Sequence, residues 1–193
     1  MSVHGDLDVP AELESCGALR HGHFRLSSER HSADYVQCAL LLEEPSRARR
    51  IGEALAAQFA DISVDSVVAP ALGGLVIGHE VATTLDLPFR FTERKNQVMC
   101  LRRGFSLRQG ETVLIIEDVI TTGKSTKETV AVVESYGALV SAVGSIIDRT
   151  AGGDIFEVPL RSLIRLAMES YEPGNCPLCG SREPLESPGS RNA

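Results

Sequence analysis

A continuous apolar run that ends in two acids, TVLIIED at residues 112–118, constrains the fold of this chain most strongly. Four aliphatic residues in succession leave no polar face, which is typical of a strand covered on both sides. Such strands belong to parallel sheets that carry helices on both faces. The run therefore predicts an α/β fold, with Glu117 and Asp118 placed where a buried strand ends.

The rest of the chain alternates between strand and helix patterns, as a parallel sheet with right-handed crossovers requires. Apolar spacing and Pro and Gly signals predict helices over 8–20, 45–59, 75–85 and 124–137. Besides the run above, strands are predicted over 23–26, 34–42, a segment ending at Pro70, 87–93 and 138–149. At 193 residues, the chain suits one domain with a small appendage.

The overall charge and the chain's apolar runs exclude some classes of partner. A formal net charge of -7 argues against a nucleic-acid partner, which would require a basic face. No apolar run approaches the roughly 18 residues that a membrane span needs. The first residues lack a basic stretch followed by an apolar one, so we expect no signal peptide and a cytoplasmic location.

A small polar turn, TTGKS at residues 121–125, follows the two acids and leads into a predicted helix. Unpaired amides and the helix dipole favour a phosphate at such a position. The turn is not a nucleotide P-loop, because Asp118 occupies the position where that motif requires glycine. The dinucleotide motif G-x-G-x-x-G is absent from the sequence. The turn therefore predicts a different kind of phosphate site.

The adjacent acids need an explanation of their own, since carboxylates beside a buried strand are costly without a partner. Neighbouring carboxylates suit the two hydroxyls of a ribose, directly or through a hard cation such as Mg²⁺. With the phosphate turn beside them, the acids predict a site for ribose 5-phosphate. The alternative is that the acids cap the strand in solvent and the threonines only start a helix.

The stretch VLIIEDVITTGKS, residues 113–125, resembles the phosphoribosyl-diphosphate motif of the type I phosphoribosyltransferases. The resemblance implies a parallel-sheet core with helices on both faces, a small N-terminal hood, and Mg²⁺-dependent transfer from phosphoribosyl diphosphate. It implies that Glu117 and Asp118 hold the ribose hydroxyls, with Asp118 counted as catalytic. It further implies that the diphosphate substrate is contacted by Val119, Ile120, Thr121, Thr122, Gly123, Lys124 and Ser125.

A second glycine-containing loop, APALGG at residues 69–74, follows a predicted strand at the same edge of the sheet. Its small residues would let backbone amides approach an anion closely. The alternative is a plain strand-to-helix turn. The resemblance implies a pyrophosphate loop made by Ala71, Leu72 and Gly73, although orotate enzymes often carry lysine where Gly73 stands.

The segment 94–110, called here the basic segment, contains five basic residues and no acid. We expect it to be a loop that closes over pyrophosphate, the alternative being an ordinary solvated loop. The resemblance implies that it acts on the neighbouring subunit's site in a homodimer with shared active sites. Arg94 and Lys95 are then expected to bind the diphosphate, and Arg102 or Arg103 to replace the usual catalytic lysine.

The base is suggested by residues 24–42, which resemble the N-terminal segment of orotate phosphoribosyltransferases, and by IIDRTAGG at residues 146–153. The resemblance implies orotate contacts from Ser28, Tyr35, Thr121 and Arg149, with the arginine on the carboxylate. Arg149 could alternatively form a surface ion pair with Asp148. The expected reaction gives orotidine 5′-phosphate and pyrophosphate, a step of pyrimidine synthesis. Alternatives are a purine phosphoribosyltransferase and a non-catalytic regulator that senses phosphoribosyl diphosphate.

The expected organisation is therefore an N-terminal hood and base-binding segment over 1–44, a phosphoribosyltransferase core over 45–170 and a tail over 171–193. Five cysteines without a secretory signal do not indicate a disulfide framework. The tail contains a C-x-x-C pair, Cys176 and Cys179, which suits zinc if two more ligands exist. Candidates are Cys16, His21, His23 or a partner subunit. A free or redox-active thiol pair is the alternative.

Overall fold

The structure, a computed structural model, describes residues 7–26, 28–150, 152–180 and 183–188. Its helices are α1 (Val9–Ser15), α2 (Cys38–Leu41), α3 (Pro45–Ala57), α4 (Gly74–Leu85) and α5 (Lys124–Ser135). Its strands are β1 (Leu19–Arg25), β2 (His31–Val36), β3 (Ser66–Pro70), β4 (Phe89–Lys95), β5 (Val98–Leu101), β6 (Thr112–Ile120), β7 (Leu139–Asp148), β8 (Leu160–Arg165) and β9 (Leu185–Glu186). Across these residues, no helix is long and apolar enough to cross a membrane.

The core is a six-stranded sheet with the order β5-β4-β3-β6-β7-β8. All neighbouring strands are parallel except β5, which runs antiparallel to β4 at one edge. The predicted α/β class is therefore confirmed. Strand β8 was not predicted, because it lies half-buried at the other edge and lacks a continuous apolar run.

Strand β6 occupies the middle of this sheet, and its apolar run is buried on both sides as predicted. Leu114 and Ile116 join one apolar cluster with residues of α3 and α4. Val113 and Ile115 point the other way, into a second cluster with residues of α5. Each of the four has 0% exposure, and burial of such a side chain contributes about 1.5–3 kcal/mol. The run therefore fixes the strand that carries the two acids.

The hood is built on a separate three-stranded sheet with the order β2-β1-β9. The predicted helix over 8–20 is too long, since α1 ends at Ser15 and Gly17 takes a positive φ of 68°. The predicted strand over 34–42 is also wrong beyond Val36. There Cys38 and Leu41, three residues apart, are buried on one face of α2. Strand β9 of the tail pairs with β1, so the tail is attached to the hood. Residues 1–6 and 189–193 of the expected hood and tail lie outside the described residues.

The basic segment differs from the expected loop over its first half. Strands β4 and β5 form a hairpin, in which Asn96 and Gln97 take positive φ angles of 50° and 66° at the two-residue turn. Met99 and Leu101 of β5 are buried, and so is Leu107 beyond it. Residues 94–101 therefore form two strand ends and a turn where the sequence predicted a loop, and the expected closure over pyrophosphate stays a prediction. Sequence reasoning missed the alternation of exposed and buried side chains in the short strand VMCL, residues 98–101.

Candidate active site

The two acids lie at the carboxyl end of β6, as predicted. Glu117 is buried and Asp118 is half-buried. The Asp118 amide donates to Oε1 of Glu117 at 3.2 Å, and the Val119 amide donates to Oδ1 of Asp118 at 2.8 Å. In the described part of the chain, no lysine or arginine forms an ion pair with either carboxylate. Backbone amides therefore orient the pair.

Burial distinguishes the Glu117 carboxyl group from its neighbour. Burial, reinforced by the neighbouring charge of Asp118, raises the pKa of Glu117 well above its usual range. A protonated carboxyl group donates one hydrogen bond and accepts others, whereas a carboxylate only accepts. The raised pKa favours the protonated form of Glu117, which can donate a hydrogen bond to a substrate hydroxyl.

The loop between β3 and α4 passes directly over the acid pair. A Cβ atom placed on Gly73 would lie 2.7 Å from both carboxylate oxygens of Asp118, and one on Gly74 would lie 3.3 Å from Oε1 of Glu117. Only glycine leaves room for this approach. Ala71 donates its amide to the Thr92 carbonyl at 2.7 Å. The Ala71–Leu72 peptide bond is cis and the Leu72 side chain is largely exposed. The structure thus brings the predicted loop and acids together.

The polar turn after β6 lies at the start of α5, as the phosphate-site prediction requires. Gly123 precedes the helix with a φ of 70°, and a Cβ atom there would lie 3.0 Å from Cδ1 of Ile155. The side chains of Thr121, Thr122 and Lys124 are exposed, and that of Ser125 is half-buried. The turn is therefore open to a ligand at the positive end of the helix dipole.

The two residues between the acids and this turn offer a ligand little besides their backbone. The side chain of Ile120 is buried in the core, with 1% exposure. Val119 is half-buried and packs against the cluster on the α3 and α4 side of the sheet. Any contact that they make with phosphoribosyl diphosphate would therefore come from main-chain atoms.

Arg149 lies beyond β7, close to the hood. Its amide donates to the Ile120 carbonyl at 2.8 Å, while Asp148 pairs with Arg165 at 2.7 Å. The alternative of an Arg149–Asp148 ion pair is therefore wrong. Nε of Arg149 is buried and has no hydrogen-bond partner among the described residues. Burial lowers the pKa of this guanidinium, and the nearby Asp34 opposes that effect. A buried Nε donor without a partner suits an incoming carboxylate.

Of the two hood residues predicted to bind the base, only one lies near the acid pair. Tyr35 of β2 lies within electrostatic reach of Asp118, and its pKa is raised by burial and further by that charge. Ser28 lies in the β1–β2 turn, where it is exposed. Within the described ranges, no hydrogen bond joins Ser28 to Tyr35 or Arg149. The structure thus brings Tyr35 toward the acid pair.

Known proteins share both this sequence and this fold. Residues 39–154 match the family model of the phosphoribosyl transferase domain. The chain is 49% identical to orotate phosphoribosyltransferase of Thermotoga maritima, over 93% of this chain and 96% of that protein. It is 44% identical to orotate phosphoribosyltransferase of Chlorobium phaeobacteroides, over 100% of this chain and 98% of that one. This chain belongs to the orotate phosphoribosyltransferase family.

The solved structures agree with this assignment. The crystal structure of orotate phosphoribosyltransferase from Aeropyrum pernix superposes with a TM-score of 0.65 at 28% identity, covering 80% of this chain and 91% of that one. Adenine phosphoribosyltransferase from Trypanosoma brucei superposes with a TM-score of 0.61 at 19% identity, covering 83% of this chain and 82% of that one. The second likeness shows only that the fold is shared.

Three of the four basic residues predicted for an orotate phosphoribosyltransferase contact acids of their own chain. Arg103 forms two hydrogen bonds with the Glu93 carboxylate, at 3.0 and 3.2 Å, and Arg102 lies 3.6 Å from it. Arg94 forms an ion pair with Glu128 of α5. Lys95 ends β4 and is exposed. In the part of the chain that the structure describes, none of the four contacts the acid pair.

Sequence reasoning missed several neighbours of the site. Cys38 of α2 lies within electrostatic reach of Asp118, and Asp34 of β2 lies near Arg149. Ile155 and Phe156 pack beneath Gly123. Each of these contacts joins segments that are distant in sequence, and none carries a local motif. Among the neighbours that are distant in sequence from the acid pair, only the Gly73–Gly74 loop had a local sequence signal, and that loop was predicted from the sequence.

Proposed function

We propose that this protein transfers ribose 5-phosphate from phosphoribosyl diphosphate to orotate, giving orotidine 5′-phosphate and pyrophosphate. The observation that carries the proposal is a convergence at one edge of the sheet. There the acid pair, the glycine loop against it and the open turn before α5 lie together. Relatives that are 44–49% identical and bear the name orotate phosphoribosyltransferase support the same reaction.

The residues of this site suit a transfer that passes through a positively charged ribose. As the bond between C1 and pyrophosphate breaks, positive charge develops on the sugar and negative charge on the leaving group. Glu117 and Asp118 would hold the ribose hydroxyls. Amides of the loop at Gly73 and Gly74 would face the leaving group, where fixed dipoles stabilise developing charge without reorganising. A ring nitrogen of orotate then bonds to C1.

The acid pair also fits a magnesium ion. Mg²⁺ takes oxygen ligands, often one or two carboxylates together with substrate phosphates. Asp118 is the suitable protein ligand, because its carboxylate is half-buried and carries no ion pair with a basic residue of the described chain. When bound, Mg²⁺ would neutralise charge on the diphosphate. We propose that most of its ligands come from the substrate.

Arg149 is the residue that favours orotate over other bases. A guanidinium can bind a planar carboxylate through two parallel N–H donors. Its buried Nε lacks a hydrogen-bond partner among the described residues, and a buried donor without a partner is costly. Orotate carries a carboxylate, whereas adenine and hypoxanthine do not. A bound orotate would satisfy this donor.

We propose further that the enzyme is a homodimer in which the basic segment acts on the neighbouring site. Exposed Lys95, at the turn of the β4–β5 hairpin, is the cation best placed to reach another subunit. Arg102 and Arg103 would have to leave Glu93 to do so. The homodimer and the cytoplasmic location both stay predictions.

The direct test is pyrophosphate release with orotate, adenine or hypoxanthine as the acceptor. We expect pyrophosphate release with orotate as the acceptor, and none with adenine or hypoxanthine. In Arg149→Met, the KM for orotate should rise at least about 10-fold, the loss expected for one charge-assisted pair. The KM for phosphoribosyl diphosphate should stay unchanged. Arg50→Met, which removes a surface partner of Glu12, is the matched control. Turnover with a purine base and none with orotate would refute the proposal.

A further inference from the structure

Four metal-binding side chains meet outside the active site. They are His23 on β1, His31 at the start of β2, and Cys176 and Cys179 in the tail. One possible ligand atom from each lies within 4.8 Å of all the others. The C-x-x-C pair expected from sequence thus gains His23, which was a candidate, and His31, which was not.

The other sequence candidates are engaged elsewhere. The thiol of Cys16 points to the Leu13 carbonyl at 3.6 Å, and Nδ1 of His21 lies 2.6 Å from the Asp34 carboxylate. The cluster is therefore complete within one chain, with four ligands and no need of a partner subunit.

The spacing of the ligand atoms matches a tetrahedral zinc site. Around zinc with ordinary bond lengths, two nitrogens lie about 3.3 Å apart, nitrogen and sulfur about 3.6 Å, and two sulfurs about 3.8 Å. Here Nε2 of His23 lies 3.0 Å from Nδ1 of His31 and 3.6 and 3.8 Å from the sulfurs of Cys176 and Cys179. The Cys179 sulfur lies 3.3 Å from Nδ1 of His31. All four separations lie within about 0.3 Å of the values expected for ligands of one ion.

Burial and local backbone also favour a metal over a loose thiol pair. His23, His31 and Cys176 are 4%, 5% and 8% exposed. The Cys179 amide donates to the Cys176 carbonyl at 3.3 Å, so a tight turn aims both sulfurs the same way. A disulfide would account for the two sulfurs alone, whereas one metal ion would also account for the two imidazole nitrogens that point into the same cluster, 3.0 Å apart.

We propose that these four residues bind one structural Zn²⁺ ion. Two thiolates and two imidazoles in a tetrahedron are a ligand set typical of zinc. With four protein ligands, no coordination position is left for a substrate, so the ion stabilises the fold and does no chemistry.

The ion would fasten the tail to the hood. Its ligands come from β1, β2 and the tail. Strand β9 of the tail pairs with β1, and His31 of β2 exchanges backbone hydrogen bonds with Tyr171 of the tail. Just before the tail, the Glu169 carbonyl accepts a hydrogen bond from the Ser32 hydroxyl at 2.7 Å. Tyr35, a proposed base contact, lies on the same hairpin. If Tyr35 contacts the base, which rests on the proposed function, the zinc ion would hold in place the strand pair that carries this contact.

The test measures metal content in the full chain, purified in reducing buffer without a histidine tag. Elemental analysis should find about one zinc ion per chain. Replacing zinc with Co²⁺ should give the visible bands of tetrahedral cobalt and a thiolate charge-transfer band. Cys179→Ser and His31→Gln should lose both signals, whereas the matched controls Cys100→Ser and His79→Gln should keep them.

A stripped wild-type sample covers the case in which ligand variants misfold. Chelator-treated protein should take up one Zn²⁺ and gain thermal stability, with no dependence on phosphoribosyl diphosphate or orotate. Protein that neither contains nor takes up zinc would overturn the proposal. So would zinc content unchanged in the ligand variants, or a Cys176–Cys179 disulfide found by mass spectrometry under reducing conditions. These measurements do not depend on catalysis, so a failure of the zinc proposal can be distinguished from a failure of the proposed function.

Discussion

Replacing Gly73 with alanine should damage the ribose site without unfolding the protein. The backbone of Gly73 is right-handed helical, with φ -57° and ψ -44°, which alanine adopts freely. The new methyl group, however, would lie 2.7 Å from both carboxylate oxygens of Asp118. We therefore expect a defect in catalysis together with a melting temperature close to that of the wild type.

The size of the defect follows from the distance. Ordinary contacts begin at 3.4 Å, so the Asp118 carboxylate must retreat by about 0.7 Å. Its hydrogen bond from the Val119 amide, at 2.8 Å, opposes that movement. A misplacement of about 1 Å can cost roughly 100-fold in rate. We expect kcat/KM to fall about 10- to 100-fold, or about 1.4–2.7 kcal/mol of transition-state stabilisation.

The assay is orotate-dependent pyrophosphate release, and Gly174→Ala is the matched control. A Cβ atom on Gly174 meets nothing within 4 Å, and that residue has no positive φ. Asp118→Asn alone should lose far more activity than Gly174→Ala. Because Gly73→Ala acts through Asp118, it should cost little more in the Asp118→Asn background. A folded Gly73→Ala protein with wild-type kcat/KM, or with a fully additive loss in the double variant, would refute the reasoning.

Three further outcomes follow from the site. Excess chelator should abolish turnover and added Mg²⁺ should restore it, because few fixed cations face the diphosphate; full turnover in chelator would contradict this. Asp118→Asn protein should be co-refolded with a variant in which Lys95, Arg102 and Arg103 are all alanine. About half of the random dimers are then mixed, and one of the two sites in each mixed dimer carries neither change. About a quarter of all sites should therefore regain wild-type activity. Verified mixed dimers without activity would exclude action between subunits. Glu117→Gln should raise the melting temperature more at about pH 7 than at about pH 5. Because the pKa of Glu117 is raised in the folded state, the wild-type protein loses stability as pH rises above the usual glutamate range, and glutamine does not. An equal shift at both pH values would count against a raised pKa.

The central part of the fold could be predicted because its signals are local. The apolar run of β6 is continuous, the acids follow it directly, and Gly123 precedes α5 within the same short stretch. The carboxyl-edge rule for parallel sheets then places the glycine loop after β3 beside that stretch. Burial of Val113 to Ile116 on alternate faces confirms the reasoning for the strand.

The hood and the sheet edges could not be predicted, because contacts between distant residues determine them. Strand β8 is half-buried and has no apolar run, so its pairing with β7 decides its structure. Residues 37–42 are aliphatic enough for a strand, yet burial of Cys38 and Leu41 selects a helix. His31 joins the cysteines only because the tail pairs with the start of β2. No local pattern in the sequence contains that information.

The close approach of Gly73 to Asp118 limits which positive charges can lie beside the acid pair. A lysine at position 73, common among orotate enzymes by the resemblance above, would here begin with a Cβ atom 2.7 Å from the Asp118 carboxylate. Arg102 and Arg103 are occupied by Glu93. We therefore propose that the leaving group is neutralised by backbone amides, by ions that arrive with the substrate, and by cations from the basic segment once they leave Glu93. Glu117, with its raised pKa, lowers the negative charge that those groups have to balance. Glycine at 73 and the raised pKa of Glu117 are therefore compatible features of one site, since both reduce the need for a fixed cation beside the acids.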